Sequence, residues 1–259
     1  MATSPAQRFA AENRFFKRSA IVLIAIAALG FLVFNLAGIT DIFSMPSATH
    51  VHAAVMSAWL VVFAMQVLLA TSGNIALHRR LGWFGAGLAL ASVLTGFWTI
   101  SATFGAGRVP GIFPPGYFLM LGYCNITLFA AFVAAAIAMR KRTDWHKRLM
   151  LGSLVMIYEP VLGRTLPFFI IPALGGPEAA FPAILANREA FELFRFAVHI
   201  AIALALLLFD RRASGRVHPA TWLMVAGVVT IYVLANGIGL TNGFTDYALS
   251  LMPQSTALP

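Results

Sequence analysis

The sequence predicts an all-α protein, a polytopic membrane bundle of seven transmembrane helices. Three observations predict it. Hydrophobic residues fill 60% of the 259 positions and charged residues only 10%, against about 45–50% and about 25% in an average soluble domain. The mean hydropathy is +0.84. The apolar residues also gather into runs of about 20, the length a helix needs to cross a bilayer whose interior cannot hydrate a backbone group. Too few polar side chains exist to cover a soluble surface. That excludes a water-soluble globule, a disordered chain and a disulfide scaffold.

The elements follow in order. Residues 1–18 are polar and basic and are expected to form a cytoplasmic N-terminal segment. Residues 19–39 hold 21 positions without a charge. A signal-peptide core is about 7–15 residues, so this run reads as a retained first span. The second span is expected at 53–71, the third at 81–104 and the fourth at 117–139. The fifth, 149–174, is interrupted by Pro160 and Pro167. The sixth is expected at 191–209 and the seventh at 221–240. Together 19–240 make one transmembrane domain, and 241–259 form a C-terminal tail. The connections 105–116, with Pro110, Pro114 and Pro115, and 175–190, with Pro177 and Pro182, read as irregular caps.

Lys and Arg set the expected direction. Arg8, Arg14, Lys17, Arg18, Arg79, Arg80, Arg140, Lys141, Arg142, Lys147, Arg148, Arg211, Arg212 and Arg216 all fall on one side of the seven runs. Only Arg108 and Arg188 fall on the other. The positive-inside rule then puts the N-terminus in the cytoplasm and the C-terminus outside. The net charge of +9 would suggest nucleic acid for a soluble chain. Here the basic residues occupy short loops, so the bilayer and its anionic headgroups are the expected partners and nucleic acid is not. The single cysteine, Cys124, supports neither an intrachain disulfide nor a thiolate metal cluster.

Polar residues within the runs carry the functional reading. A charge at mid-span costs at least about 2.5–3.5 kcal/mol, so it faces protein or water and is often functional. Glu159, Arg164, Arg195 and His199 are such residues, with Glu192 near the outer edge. In the sixth span Glu192, Arg195 and His199 stand at i, i+3 and i+7, within about 60° of one another on a helix. At 1.5 Å per residue, Glu159 and His199 lie at similar depth, and so do Arg164 and the Glu192–Arg195 level. The fifth and sixth spans are antiparallel neighbours, so an interhelical cluster of all five is expected. The second span adds His52, Trp59 and Gln66, spaced by seven and therefore on one face. His50 sits just outside it. Tyr123, Asn125, Tyr232 and Asn236 add polar groups to the fourth and seventh spans. The structural alternative for the charged set is an ion-pair network that fixes helix packing. For Trp59 and Gln66 it is ordinary interior packing.

A short echo recurs along the chain. His78-Arg79-Arg80-Leu81 opens the third span and His146-Lys147-Arg148-Leu149 the fifth, while Arg216-Val217-His218-Pro219 opens the seventh. Each basic turn delivers a histidine to the start of a helix. The plainest role for His78, His146 and His218 is interfacial, near headgroups.

Haem iron takes axial histidines, and its propionates take Arg or Lys. Two pairs are candidates for a b-type haem: an outer pair of His52 with His199, near Arg195 or Arg164, and an inner pair of His78 with His146. The pattern His52, Trp59, Gln66, His78-Arg79-Arg80-Leu81-Gly82 and His146-Lys147-Arg148-Leu149-Met150 resembles an uncharacterised group of bacterial multi-pass membrane proteins. More distantly, the paired histidines on neighbouring helices resemble four-helix transmembrane cytochromes that carry two b-type haems. The resemblance spans roughly residues 50–220. It implies a bacterial inner-membrane location and haem-linked electron transfer. His52 lies at the outer edge and His199 about a third of the way down, whereas axial partners should be level.

A second reading is a proton-coupled transporter or small-ligand-binding protein. It would use Glu159, Arg164, Arg195 and His199 beside a proline-broken span. A non-catalytic membrane protein is a further alternative. A metal hydrolase needs about three protein ligands and an open position, and no span carries His-x-x-x-His. A retinal-type receptor is excluded because the seventh span has no lysine for a Schiff base.

Overall fold

The computed structural model describes residues 5–37 and 42–253 and, among these, every regular element is a helix. The helices are α1 (Pro5–Leu36), α2 (Ser47–Ser72), α3 (Ile75–Gly105), α4 (Pro115–Ala138), α5 (Thr143–Met156), α6 (Tyr158–Thr165), α7 (Pro167–Ala173), α8 (Pro177–Ala186), α9 (Arg188–Ser214), α10 (Pro219–Gly237) and α11 (Asn242–Ser250). A single 3-10 turn, Ile42–Ser44, precedes α2. Six of the helices are long and apolar enough to cross a membrane. A seventh crossing follows if Thr143–Met156 and Tyr158–Ala173, bent by 45° where they meet, count as one span. Leu29, Val61, Leu94, Leu208 and Val233 stand exposed on the helix flanks, as lipid-facing side chains would.

Local chemistry explains the breaks. Gly73 ends α2 at φ 82 and donates its N–H to the Leu69 carbonyl. Asn74 then caps α3 by accepting from the Leu77 N–H. This tight turn sets His78 in the first turn of α3. Gly215, at φ 73, ends α9 in the same way. Pro115 and Pro219 occupy the first positions of α4 and α10, where a missing N–H costs nothing. Pro160 cannot donate to the Met156 carbonyl, so the ladder breaks between α5 and α6.

One expectation needs correction. Residues 175–190 are not an irregular cap, because α8 fills most of them. Pro177 stands at its first turn, where proline starts a helix and does not break one. The stretch 241–259 contains α11, whose Ala248 is buried against the group that holds Phe104 and Leu119, and the described part of the N-terminal segment is helical and continuous with α1. The expected end of the first span at Ile39, residues 1–4 and residues 254–259 lie outside the described residues.

Helix α4 is central and packs against α3, α5, α10 and α11. Helix α2 packs on α3, and α1 packs on α6. Small residues permit the close approaches, as in membrane bundles generally. A β carbon on Gly152 would stand 2.5 Å from the Phe132 ring, and one on Gly227 would stand 2.6 Å from Met156 Sδ. The bundle has two polar ends. The starts of α1, α3, α5 and α10 meet the ends of α2, α4 and α9 at the proximal end. The starts of α2, α4 and α9 gather at the distal end.

Candidate functional site

The distal cluster is built on α9. Glu192, Arg195 and His199 share one face and all three are buried. Arg195, 1% exposed, pairs through Nη2 with Glu159 of α6. Its Nη2 also donates to Tyr117 Oη on α4 at 3.4 Å. The rings of Phe113 and Phe191 flank the guanidinium at 4.8 and 5.6 Å. Such cation–π contacts contribute about 0.5–2 kcal/mol each. Glu192 Oε1 stands 3.6 Å from Arg188 Nε one turn earlier. Arg195 Nε, Arg195 Nη1 and Glu192 Oε1 are buried with no hydrogen-bond partner. The cluster therefore keeps unused donors on Arg195 and an acceptor on Glu192 whose one neighbour, Arg188 Nε, lies beyond hydrogen-bond distance.

His199 and Glu159 sit at the same break but take different partners. The helix break leaves the Val155 carbonyl available, and His199 Nε2 bonds it at 2.9 Å. A carbonyl only accepts, so Nε2 carries the proton. Arg164 departs from the expected cluster. It follows Glu159 by five residues, about 140° around a helix, and so points to another face. Its guanidinium lies 4.4 Å from the Phe31 ring and 5.7 Å from the Phe34 ring of α1.

The outer histidine pair is not in ring contact among the described residues. His52 lies between α2 and α3 with Nδ1 3.1 Å from Thr95 Oγ1. Thr95 donates its own hydroxyl to the Ala91 carbonyl, so His52 Nδ1 is the donor in that bond. Trp59 is buried against Phe63 and Phe129 at 5.1 and 4.9 Å, which is interior packing.

The inner pair is brought together. The rings of His78 and His146 are 6.3 Å apart and nearly perpendicular, at 86°. His78 Nδ1 lies 3.3 Å from the Gln66 carbonyl and His146 Nδ1 2.8 Å from the Ala136 carbonyl. Both carbonyls accept, so each ring is pinned through Nδ1–H and keeps Nε2 as its lone-pair nitrogen. The Gln66 side-chain amide is buried with neither its nitrogen nor its oxygen bonded. A β carbon on Gly82 would have Gln66 Nε2, at 3.8 Å, as its nearest neighbour. Arg140 sits over the Trp83 ring at 5.8 Å nearby. His218 takes no part. It pairs with Asp144 at 3.2 Å and meets the Trp145 ring at 5.1 Å.

One buried network escaped the sequence reading. Arg148 binds Asp210 of α9 and Glu12 of α1, each at 2.6 Å through Nη2. Asp210 also accepts from Thr221 Oγ1 at 2.6 Å and from the His218 N–H at 3.2 Å. Lys147 reaches Glu12 at 3.0 Å. The available signal was an acid, Asp210, ending an apolar run immediately before Arg211 and Arg212. Among the described residues no group of three or more His, Cys, Asp or Glu could hold a metal ion. No family model, curated protein or solved structure matches this chain.

Proposed function

We propose that this protein transfers electrons in the bacterial inner membrane through one b-type haem held between His78 and His146. The observation that carries the reading is the spacing of those two pinned rings. Two imidazoles that would hold one metal at about 2.0–2.1 Å need ring centres no more than roughly 6 Å apart, and His78 and His146, at 6.3 Å, stand close to that reach. Metal-ligating histidines usually donate their second N–H to a carbonyl, as both do here. The unbonded Gln66 amide and the bare Cα of Gly82 fit a group not made of this chain. Arg79 and Arg80 follow His78 directly in α3, and Arg140 lies over the Trp83 ring of the same helix. Cations there suit the carboxylates of a porphyrin and oppose a bare divalent cation.

The bound haem would supply a reversible one-electron couple. The chain's own contribution is orientation: the Gln66 and Ala136 carbonyls fix both rings, and the arginines hold the negative edge. The positive-inside bias places this end of the bundle in the cytoplasm. The test is a visible spectrum of the detergent-purified protein, oxidised and dithionite-reduced. A sharp b-type band is expected, absent in His78→Ala and His146→Ala and retained in His218→Ala. A featureless trace from folded protein would overturn the reading.

A second reading rests on the unbonded Arg195 Nε, Arg195 Nη1 and Glu192 Oε1. These fit a small neutral ligand that both accepts and donates, bound near the Glu159–Arg195 pair with proton coupling. Uptake into vesicles should fall in Glu159→Gln; unchanged uptake would remove this reading.

A further inference from the structure

We propose that the groove between α1, α6 and α9 binds one anionic phospholipid, with its acyl chain in the groove and its phosphate on Arg164. The groove encloses about 720 Å³. Val22, Ile26, Leu162, Leu166, Ile202 and Ala205 are among its walls. Two of its three polar side chains are bonded to backbone: Tyr158 Oη donates to the Leu23 carbonyl and Thr165 Oγ1 to the Val161 carbonyl, and Ser19 is the third. Walls so largely apolar suit a hydrocarbon chain.

The headgroup position follows from charge. The other cations within the bundle have acids: Arg195 pairs with Glu159, and Arg148 with Asp210 and Glu12. Among the described residues Arg164 has no carboxylate within ion-pair distance. Its Nη1 donates to the Pro160 carbonyl at 3.0 Å, and Nε and Nη2 bond nothing described. It is adjacent in sequence to Thr165, which lines the groove beside Gly30 and Val33. The rings it rests on, Phe31 and Phe34, lie within about 8 Å of the end of α1 at 1.5 Å per residue. That is near the distal end of the candidate span Ala10–Leu36, within reach of the headgroups for a long arginine side chain. A guanidinium with free donors at that level is matched by a phosphate, which it binds as a fork. This site lies at the distal end, opposite the basic loops with their diffuse attraction for lipid. It is independent of the haem reading.

The experiment is native mass spectrometry of the full chain, titrated with phosphatidylglycerol or phosphatidylcholine of matched chains. One phosphatidylglycerol should bind saturably, about tenfold tighter than phosphatidylcholine, whose phosphate is the same but whose cationic trimethylammonium group is repelled by the Arg164 guanidinium. Arg164→Gln should erase that preference while leaving the weaker binding of both lipids. Ala205→Trp should block the groove and reduce both lipids. Inorganic phosphate alone should leave the mass unchanged. Equal phosphatidylglycerol binding in the parent and Arg164→Gln, or undiminished binding in Ala205→Trp, would overturn the proposal. So would non-saturating uptake of many lipids with no preference.

Discussion

Arg148 and Asp210 meet side-on, with Nη2–Oδ1 at 2.6 Å and Nε 3.2 and 3.3 Å from the two carboxylate oxygens. Every remaining arm is also used. Arg148 Nη1 donates to the Asp144 carbonyl at 3.0 Å, and Asp210 takes the Thr221 hydroxyl. Removing one partner of a buried pair costs up to about 3–5 kcal/mol, and an apolar replacement of both far less; losing Asp210 leaves Arg148 with Glu12 alone and the Thr221 hydroxyl without its acceptor. Asp210→Ala should therefore lower the melting temperature in detergent sharply. Arg148→Met with Asp210→Leu should melt above either single variant. A double variant that loses the sum of both singles would show that the pair is not coupled.

The histidines should divide by role. His199→Phe removes one of two hydrogen bonds to the Val155 carbonyl, which keeps the Ile157 N–H, at about 0.5–1.5 kcal/mol. It should weaken thermal stability yet leave any haem band intact. His146→Ala should do the reverse, abolishing the band with little loss of helix by circular dichroism. A band that survives His146→Ala but disappears in His199→Phe would move the cofactor to the outer pair.

Glycine positions separate close packing from open space. Gly152 faces the Phe132 ring, so Gly152→Val should cost about 1–3 kcal/mol through overpacking. At Gly87 a β carbon meets nothing within 4 Å. Gly87→Ala should be neutral or stabilising by up to about 1 kcal/mol, from helix propensity alone. Melting curves of the two variants in one detergent provide the comparison.

Direction is testable by fusion. A reporter active only in the cytoplasm should work when inserted at Gly73, and one active only outside should work at Gly107. Activity in the opposite pattern would reverse the positive-inside assignment.

The apolar runs made the long helices legible, because bilayer crossing constrains length and composition together. The shared face of Glu192, Arg195 and His199 was legible for the same reason: helical periodicity is fixed. The depth of Arg164 was legible, but its facing was not, because the break at Pro160 sets it. Five residues from Glu159, it matches the level of Arg195 but faces α1. Helices α8 and α11 were hidden because Pro177 reads as a breaker and nine or ten residues carry little periodic signal. Asp210 was hidden because it borders a basic loop, and no one-dimensional pattern links it to Arg148 and Glu12. The level pairing of His78 and His146 was legible from the repeated turn motif. Its ring spacing was not, since the α2–α3 and α4–α5 turns set it jointly.

The knot of Glu12, Arg148 and Asp210 also bears on biosynthesis. Its three members come from the beginning, the middle and the last fifth of the chain. During synthesis Arg148 emerges long before Asp210 exists, and in that interval Glu12 is the only one of its two acidic partners already made. The network can therefore close only after α9 has been made, so the contact between the first and the later helices is completed late in synthesis.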